Sequence, residues 1–305
     1  MSLKITILGC HSATPRVNAH PSAQVLQIKN HHFLIDCGEG TQVQMRKYKI
    51  SFAKIKHIFI SHLHGDHYFG LIGLISTFGL LNREKELQIY GPKGLQEIIE
   101  LQMRISQSRI GFPIVFYELD NLKSELIFED KRVKVYTIPL SHRIYTNGFL
   151  FKEKPALRKL NINVVENIPE IETCDYYNIK KGKDFIKSDG TVLKNNLLTF
   201  PPPKIKSYAY CSDTAYEEKI IDIIDGVDML YHESTFLSDK KELAAKTNHS
   251  TAYEAGKIAA AARVKILLLG HYSNRYRDLS YFRKEAQKVF QHTLLSIEGT
   301  TFEVE

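Results

Sequence analysis

The sequence predicts an α/β protein built in layers, because short β-rich apolar runs alternate along the chain with amphipathic helical patterns. The runs at 57–61 and 87–92 are each followed directly by a helical pattern, an order that is typical of layered α/β proteins. A chain of 305 residues with 43% hydrophobic content can also bury a sizeable core. We therefore expect an α/β or αββα arrangement.

Nine runs rich in β-branched, aromatic and leucine residues predict strands. These runs are 4–9, 24–29, 32–38, 57–61, 87–92, 132–140, 207–211, 227–232 and 264–270. Helical periodicity predicts helices over 66–81, 93–105 and 251–263. Thr251 and Glu254 have the spacing of a capping box, which indicates where the last of these helices begins.

The composition argues for a cytoplasmic protein that does not associate with a membrane. The longest nearly apolar run, 68–81, is too short to cross a bilayer and contains three glycines, so it indicates a buried helix. The N-terminal residues lack the long apolar core of a signal peptide. Four widely spaced cysteines without a CxxC pair indicate reduced thiols. A net charge of +7 is compatible with an anionic partner.

Residues 152–206 interrupt the strand and helix rhythm. They contain scattered apolar residues. The stretch 180–206 carries seven lysines and only two aspartates, and it includes a run of three prolines. A connection this long inside a compact domain is usually functional, or an insertion with its own structure. A solvated surface segment would explain the lysine excess equally well.

The sequence SHLHGDHYFG, residues 61–70, predicts a metal site. His62 and His64 lie two residues apart at the end of a predicted strand, so their side chains can share a face. Asp66 and His67 follow in the turn and the first helical residues. Imidazole and carboxylate are the groups that zinc accepts in the absence of thiolate. The alternative is a histidine-rich loop exposed to solvent.

Three further metal-binding residues follow predicted strands. His142 follows the 132–140 strand, Asp213 the 207–211 strand and His271 the 264–270 strand. Any one of them alone would more often be structural. The recurrence of the pattern beside the 61–70 motif favours ligands gathered at one edge of the layers.

The chain resembles the metallo-β-lactamase superfamily, whose H-x-H-x-D-H motif and later His, Asp and His match the residues above. The stretches YHESTF (231–236) and NHSTA (248–252) are similar to two motifs of the ribonuclease Z family, in its short bacterial form. This resemblance implies a four-layer αββα sandwich with an inserted flexible arm. It also implies an endoribonuclease that removes 3′ trailers from precursor tRNA and leaves a 3′ hydroxyl.

By the same resemblance, two zinc ions activate a hydroxide for attack on the phosphodiester. One ion would be held by His62, His64 and His142, the other by Asp66, His67 and His271, with Asp213 bridging them. Zinc in such a site lowers the pKa of water towards about 7, and the paired charges stabilise the transition state.

Three residues are candidates for proton transfer. Asp66 is the candidate general base, unless it serves only as a ligand. His249 is the candidate general acid, because the departing ribose 3′ oxygen is a poor leaving group; it could instead be an ordinary residue beside a helix cap. Glu233 could orient His249 or a metal-binding imidazole. His232 is expected to be structural.

The candidate RNA contacts rest on looser similarities. Arg16 lies in a contracted version of a family segment near the tRNA 3′ end, and an ordinary turn explains it as well. The arm at 152–206 would hold the tRNA, with Lys180, Lys181 and Lys183 at its tip, although the family's Gly-Pro signature is absent. Ser212 stands where the family usually has glycine before Asp213.

The leading hypothesis is thus a single-domain dizinc ribonuclease that acts on precursor tRNA. The resemblance also implies a homodimer. One alternative keeps the site but assigns small substrates, as in a nucleotide phosphodiesterase or another hydrolase. The other is a non-catalytic RNA-binding protein on a hydrolase fold. The sequence leaves open which metal is used and whether CCA-bearing precursors are cleaved.

Overall fold

The computed structural model describes residues 3–304. The chain forms two compact units. The first contains the residues up to Lys152 together with those from Lys206 onward, and the second is the segment Glu153–Ile205. No helix in the described part of the chain is long and apolar enough to cross a membrane.

The first half of the chain builds ten strands and helices before residue 120. They are β1 (Leu3–Gly9), β2 (Ala23–Ile28), β3 (His31–Ile35), α1 (Thr41–Lys47), β4 (Ile55–Phe59), α2 (Gly65–Tyr68), α3 (Gly70–Leu80), β5 (Leu87–Pro92), α4 (Leu95–Ile105) and β6 (Ile114–Leu119). Three more strands follow, β7 (Leu126–Glu129), β8 (Val133–Pro139) and β9 (Asn147–Glu153).

The second unit has short elements around a small core of its own. They are β10 (Lys159–Leu160), α5 (Ile162–Val165), α6 (Tyr176–Lys180), β11 (Phe185–Ile186), β12 (Val192–Leu193), α7 (Asn195–Leu198) and β13 (Thr199–Phe200). Strand β10 pairs with β13, and β11 with β12. The core consists of Leu160, Val165, Ile171, Ile179 and Leu198. This segment therefore has folded structure and is not an extended linker.

The first unit is completed by four strands, three helices and a short C-terminal strand. They are β14 (Ser207–Cys211), β15 (Met229–Glu233), α8 (Lys241–Thr247), α9 (Ala252–Ala261), β16 (Ile266–Gly270), α10 (Ser280–Ala286), β17 (Thr293–Leu295) and β18 (Thr301–Val304). Thr251 and Glu254 form the predicted capping box at the start of α9. Three single-turn 3₁₀ helices lie at Phe52–Lys54, Glu218–Ile220 and Ser238–Lys240.

Two seven-stranded mixed sheets form the centre of this unit. The first has the order β18-β1-β2-β3-β4-β5-β6, and the second has the order β17-β16-β15-β14-β9-β8-β7. Strands β3 to β6 are parallel to one another, as are β14 to β17. The carboxyl ends of parallel strands lie at one edge of a sheet, where open α/β sheets commonly place their sites.

Aromatic side chains fill the space between the two sheets. Phe33 and Phe59 extend from β3 and β4, and Phe149 and Phe151 from β9 of the other sheet; all four are fully buried. The Phe59 ring centroid lies 5.3 Å from that of Phe149 and also 5.3 Å from that of Phe151. Such edge-to-face contacts add to the stabilisation that burial already provides. The two sheets therefore share one core.

Helices cover the outer faces of both sheets. Helices α1, α3 and α4 pack on the first sheet through residues such as Met45, Leu74 and Ile99. Helices α9 and α10 bury Ile258 and Phe282 in the core that contains the second sheet. The order helix, sheet, sheet, helix confirms the predicted four-layer αββα sandwich.

The predicted helix over 66–81 was wrong in one respect, since the structure divides it at Phe69 into α2 and α3. The Gly70 amide donates to the carbonyl oxygen of Cys37 at 2.9 Å. A Cβ at Gly70 would lie 2.0 Å from the Gly38 carbonyl oxygen, so only glycine permits this approach. The break is thus caused by a contact distant in sequence. Strands β6, β7, β9, β17 and β18 were also not predicted.

Candidate metal centre

The predicted ligands lie at the carboxyl edges of the two sheets. His62 and His64 follow β4, while Asp66 and His67 lie within α2. His142, Asp213 and His271 follow β8, β14 and β16, and they complete the group. Although these seven residues are spread from position 62 to position 271, the structure brings their ligand atoms together in two clusters that share one residue.

The first cluster consists of His62, His64, His142 and Asp213. His64 Nδ1 lies 3.0 Å from His62 Nε2 and 3.3 Å from His142 Nε2. Asp213 Oδ2 lies 3.5 Å from His62 Nε2 and 3.8 Å from His142 Nε2. Three nitrogens and one oxygen therefore face a common point.

The second cluster consists of Asp66, His67, Asp213 and His271. Asp213 Oδ1 lies 3.2 Å from both His67 Nε2 and His271 Nε2. Asp66 Oδ2 lies 3.4 Å from His67 Nε2 and 3.3 Å from His271 Nε2. Asp213 thus directs one carboxylate oxygen to each cluster, which is the arrangement that two adjacent cations require.

These separations fit divalent metal ions. Tetrahedral ligands at 2.0–2.1 Å from zinc stand about 3.3 Å from one another, close to the distances within both clusters. His67 Nε2 is buried and has no hydrogen-bond partner among the described residues, so a ligand role would satisfy it. Imidazole and carboxylate donors in this ratio suit zinc and related transition metals.

In His62, His67 and His142 a contact at Nδ1 leaves Nε2 to face the centre, whereas His64 faces it through Nδ1. The Nδ1 of His67 donates to Asp36 Oδ2 at 2.7 Å, and that of His142 donates to the Asn248 carbonyl oxygen at 2.8 Å. His62 Nδ1 lies 3.0 Å from the hydroxyl of Ser61, which itself donates to Asp36. Each Nε2 is therefore left with its lone pair towards the cluster.

Asp36 holds this side of the centre rigid, and the sequence analysis missed it. Its carboxylate accepts hydrogen bonds from the Ser61 amide at 2.7 Å and from the Tyr210 hydroxyl at 2.6 Å, and it is fully buried. Asp36 follows β3 and adopts the left-handed backbone region, with φ 55°. The predicted strand 32–38 included Asp36, whereas β3 ends at Ile35, so the sequence did not place this residue at a strand end as it placed Asp213.

The electrostatics of the centre keep Asp213 ionised and act on the imidazoles in opposite directions. Burial lowers the pKa of His62 and of His142. Burial also lowers the pKa of His67, but the charges of Asp213 and Asp66 outweigh it and raise that pKa well above its usual value. Burial, followed by the neighbouring rings of His62 and His142, lowers the pKa of His64 to about 4. Burial raises the pKa of Asp213, but the charges of His271 and His67 outweigh it and hold that pKa well below its usual value. Neutral imidazole and ionised carboxylate are the forms that bind metal.

Glu233 links the second cluster to His249. Its Oε1 accepts from His249 Nδ1 at 2.7 Å and from the Thr214 amide at 2.9 Å. Its Oε2 accepts from the Thr235 hydroxyl at 2.6 Å, and that hydroxyl lies 2.8 Å from His271 Nδ1. Both oxygens of Glu233 are therefore committed to hydrogen bonds, which argues against its acting as a metal ligand.

His249 itself lies between the two clusters. Its ring centroid is 5.1 Å from that of His142 and 5.5 Å from that of His271. Burial lowers the pKa of His249, but the charge and hydrogen bond of Glu233 outweigh it and raise the pKa to about 9. With Nδ1 bound to Glu233, Nε2 is the nitrogen left to exchange a proton.

His232 belongs to neither ligand cluster. It is fully buried, and its Nδ1 contacts the Glu233 carbonyl oxygen.

Comparisons with known proteins identify the family. A family model described as Anti-Pycsar protein Apyc1 matches residues 3–157, the half that contains the 61–70 motif. Ribonuclease Z of Porphyromonas gingivalis strain W83 is 46% identical over 299 residues, which cover 97% of each chain. The chain belongs to the ribonuclease Z family.

Solved structures agree with this assignment. Human tRNase Z, short form, is 26% identical and superposes with a TM-score of 0.72 over 99% of both chains. The metallo-β-lactamase fold protein YhfI from Bacillus subtilis gives a TM-score of 0.69 at 19% identity, covering 99% of this chain and 100% of that one. The second likeness shows the shared fold alone.

An open cavity of about 360 Å³ leads to the centre of this ribonuclease Z family member. Ligand residues and His249 line it, together with the loop residues Ser12, Ala13 and Thr14. Arg143 and Arg275 also line the cavity, although the sequence analysis missed both. Both could have been identified from their positions in the sequence, because Arg143 adjoins His142 and Arg275 lies four residues after His271.

Ser212 does not adopt the positive φ that a glycine at this position would allow. Asp213, not Ser212, adopts the left-handed region, with φ 54°. The Ser212 hydroxyl instead donates to Asp213 Oδ1 at 3.0 Å. Because a positive φ is costly for a residue with a side chain, the surrounding contacts must hold Asp213 in place. His271 shares this conformation, with φ 58°.

None of the candidate RNA contacts belongs to the two ligand clusters. The guanidinium of Arg16 donates to the Tyr276 carbonyl oxygen at 3.2 Å, and Arg16 is not among the residues that line the cavity. Lys180, Lys181 and Lys183 belong to the second unit, at the end of α6 and just after it. The ammonium of Lys181 lies 4.4 Å from the ring centroid of Tyr177, while Lys183 is exposed.

The shared role of Asp213 predicts that its removal empties both clusters. Chelated protein that is reloaded with zinc should contain about two ions per chain by plasma mass spectrometry. Asp213→Ala should lose most of both ions, because each cluster loses a charged ligand. Asp225→Ala, which removes an exposed carboxylate, should retain the normal content. Full zinc occupancy in Asp213→Ala would contradict the bridging arrangement.

Proposed function

We propose that this chain is a metal-dependent endoribonuclease that cleaves the 3′ trailer from precursor tRNA and leaves a 3′ hydroxyl on the tRNA. The observation that carries the proposal is a relative named ribonuclease Z that is 46% identical over 97% of both chains. The two clusters joined through Asp213 provide a site suited to hydrolysis of a phosphodiester.

The metal centre would be formed by two zinc ions. His62, His64 and His142 would hold one ion, Asp66, His67 and His271 the other, and Asp213 both. When bound, such ions supply positive charge to the phosphoryl group and lower the pKa of water towards neutrality. The chain's own residues then orient the reactants and move the protons.

Two arginines would orient the substrate. Arg143 and Arg275 line the cavity, and guanidinium groups bind phosphate oxygens in bidentate fashion. No carboxylate pairs with either side chain within 4.0 Å in the described part of the chain, so both charges are available. Phosphates on either side of the scissile bond would therefore be held against the rim of the centre.

Two residues would carry the proton transfers. Water attacks phosphorus and forms a new phosphorus–oxygen bond while its proton passes to Asp66. The bond from phosphorus to the ribose 3′ oxygen breaks, and His249 Nε2 donates a proton to that oxygen. The pKa of about 9 keeps His249 protonated at neutral pH, as a general acid must be. Glu233 orients the ring through Nδ1.

The remaining parts of the proposal concern binding and assembly. The insertion at 152–206 would act as an arm that holds tRNA through Lys180, Lys181 and Lys183, and Arg16 would contact RNA near the 3′ end. The family resemblance supports a homodimer in the cytoplasm. The lysines of the second unit support the arm, because phosphate contacts supply much of the affinity for nucleic acid.

The proposed activity is tested with a 3′-extended tRNA incubated with zinc-loaded protein, with and without chelator. The product ends should map to a single cut beside the discriminator nucleotide, with a 3′ hydroxyl on the tRNA. Chelator and Asp66→Ala should both abolish the cut. Cleavage at scattered positions, or cleavage that survives chelation, would contradict a metal-dependent tRNA processing enzyme.

The role of His249 gives a second prediction. His249→Ala should lower kcat by roughly 10²–10⁴-fold, since the leaving oxygen loses its proton donor. Zinc content should stay normal, because His249 belongs to neither of the two ligand clusters. Single-turnover kinetics and metal analysis on the same sample measure both quantities.

A matched control variant shows whether the loss of kcat is specific to His249. His292→Ala removes an exposed imidazole distant from the cavity and should leave kcat and zinc content unchanged. A loss of zinc in His249→Ala in proportion to its loss of activity would refute the assignment of His249 as the general acid.

The arm gives a third prediction. Replacing Lys180, Lys181 and Lys183 together with alanine should weaken precursor tRNA binding and reduce the dependence of log Kd on log salt by roughly 2 units, about 0.7–0.9 per lost contact. Small chromogenic phosphodiesters should still be hydrolysed at the normal rate, because the metal centre is untouched. Unchanged tRNA affinity would show that these lysines are only solvated surface.

A further inference from the structure

A second cationic region lies at the opposite edge of the first sheet from the metal centre. Strands β3, β4 and β5 are parallel, so their first residues share one edge. Lys54 and Lys56 flank the start of β4, and Lys85 precedes β5. The ligands that follow β4 lie at its other end. Five residues of strand separate the two regions by about 17 Å.

Two concave surfaces meet at this edge. One has a volume of about 630 Å³ and the other about 230 Å³, and both are lined by Asn30, His32, Lys54 and Lys56. The two depressions therefore adjoin one another at these side chains, and together they are called the basal groove. Its remaining lining residues are Gln27, Lys29, His31, Ala53, His57, Lys85, Asp130 and Arg132.

Four cations of the basal groove have no ion-pair partner in the described part of the chain. Among the ion pairs of residues 3–304, none involves Lys54, Lys56, Lys85 or Arg132. Asp130 is the one acidic residue that lines the groove. Its carboxylate is already occupied, because it accepts from His31 Nε2 at 2.8 Å and from the Arg132 amide at 2.7 Å.

His57 lies beneath the groove and does not offer a free polar atom to it. The residue is only 9% exposed, and its ring centroid lies 4.7 Å from that of Phe128 and 5.5 Å from that of Phe33. Burial, followed by the charges of His31 and Lys56, lowers the pKa of His57 to about 4. The ring is therefore neutral, and the positive charge of the groove comes from its lysines and Arg132.

The shape and charge of the groove select the ligand class. No three metal-binding atoms from its residues converge within the described part of the chain, so a bound cation does not explain it. Two adjoining depressions with cations in each suit several anionic groups in a row. A flexible single strand of nucleic acid meets this requirement, because successive phosphates can each approach a different cation.

We propose that the basal groove binds the sugar–phosphate backbone of single-stranded RNA, at a surface separate from the metal centre. The choice of RNA over other polyanions rests on the proposed function. Lys54 and Lys56 contact phosphates where the two halves of the groove meet, and Lys85 and Arg132 extend the cationic surface into each half.

The test measures binding of a fluorescein-labelled 12-nucleotide oligouridylate to the zinc-loaded full chain by fluorescence anisotropy, with the probe checked for integrity on a gel. Lys54→Ala with Lys56→Ala should weaken binding about tenfold at low salt. The slope of log Kd against log salt should fall by roughly 0.7 for each phosphate contact that is lost. The control, Lys284→Ala in α10 with Lys288→Ala just after that helix, removes the same charge and should bind like the unaltered chain.

Three results would overturn the proposal. The two double variants could bind the probe equally well, a duplex RNA could compete better than the single strand, or uridine monophosphate could compete as well as the oligonucleotide. Cleavage of a short-trailer precursor is measured in parallel and should be unchanged in Lys54→Ala with Lys56→Ala. If the unaltered chain cleaves no precursor, the proposed function fails while the binding comparison remains interpretable.

Discussion

The candidate centre depends on one carboxylate placed between two groups of imidazoles. Asp213 directs Oδ1 towards His67 and His271 and Oδ2 towards His62 and His142. Removing it would take one ligand from each cluster and the only carboxylate from the first. The same carboxylate is kept in a left-handed backbone conformation that costs free energy, so the rest of the fold must hold it there.

The scaffold supplies that restraint through its two sheets. Asp213 and His271 end parallel strands of the second sheet, while His62 and Asp36 follow parallel strands of the first. Phe33, Phe59, Phe149 and Phe151 pack between the sheets and are fully buried. Dense aromatic packing leaves little room for one sheet to shift against the other. The distance between the two halves of the metal centre is thereby fixed.

A hydrogen-bond network couples the centre to the candidate proton donor. Glu233 binds His249 directly and reaches His271 through the Thr235 hydroxyl. One buried carboxylate therefore orients both a metal-binding imidazole and the imidazole proposed to protonate the leaving group. Asp36 plays a comparable part for His67 on the other side. Such partners position ligands that would otherwise rotate, and they set which ring nitrogen faces the ions.

The sequence by itself determined the layered fold, most strands of both sheets, the capped helix α9 and the seven side chains that cluster as candidate metal ligands, because periodicity and residue type are local properties. It missed Asp36, Arg143 and Arg275, whose roles come from neighbours distant along the chain. It also joined α2 to α3, since the break depends on the contact between Gly70 and residues 37 and 38. Only the tertiary structure decided how Asp213 divides its oxygens and how Glu233 links His249 to His271. Those relations arise where two sheets meet, and no local pattern records them.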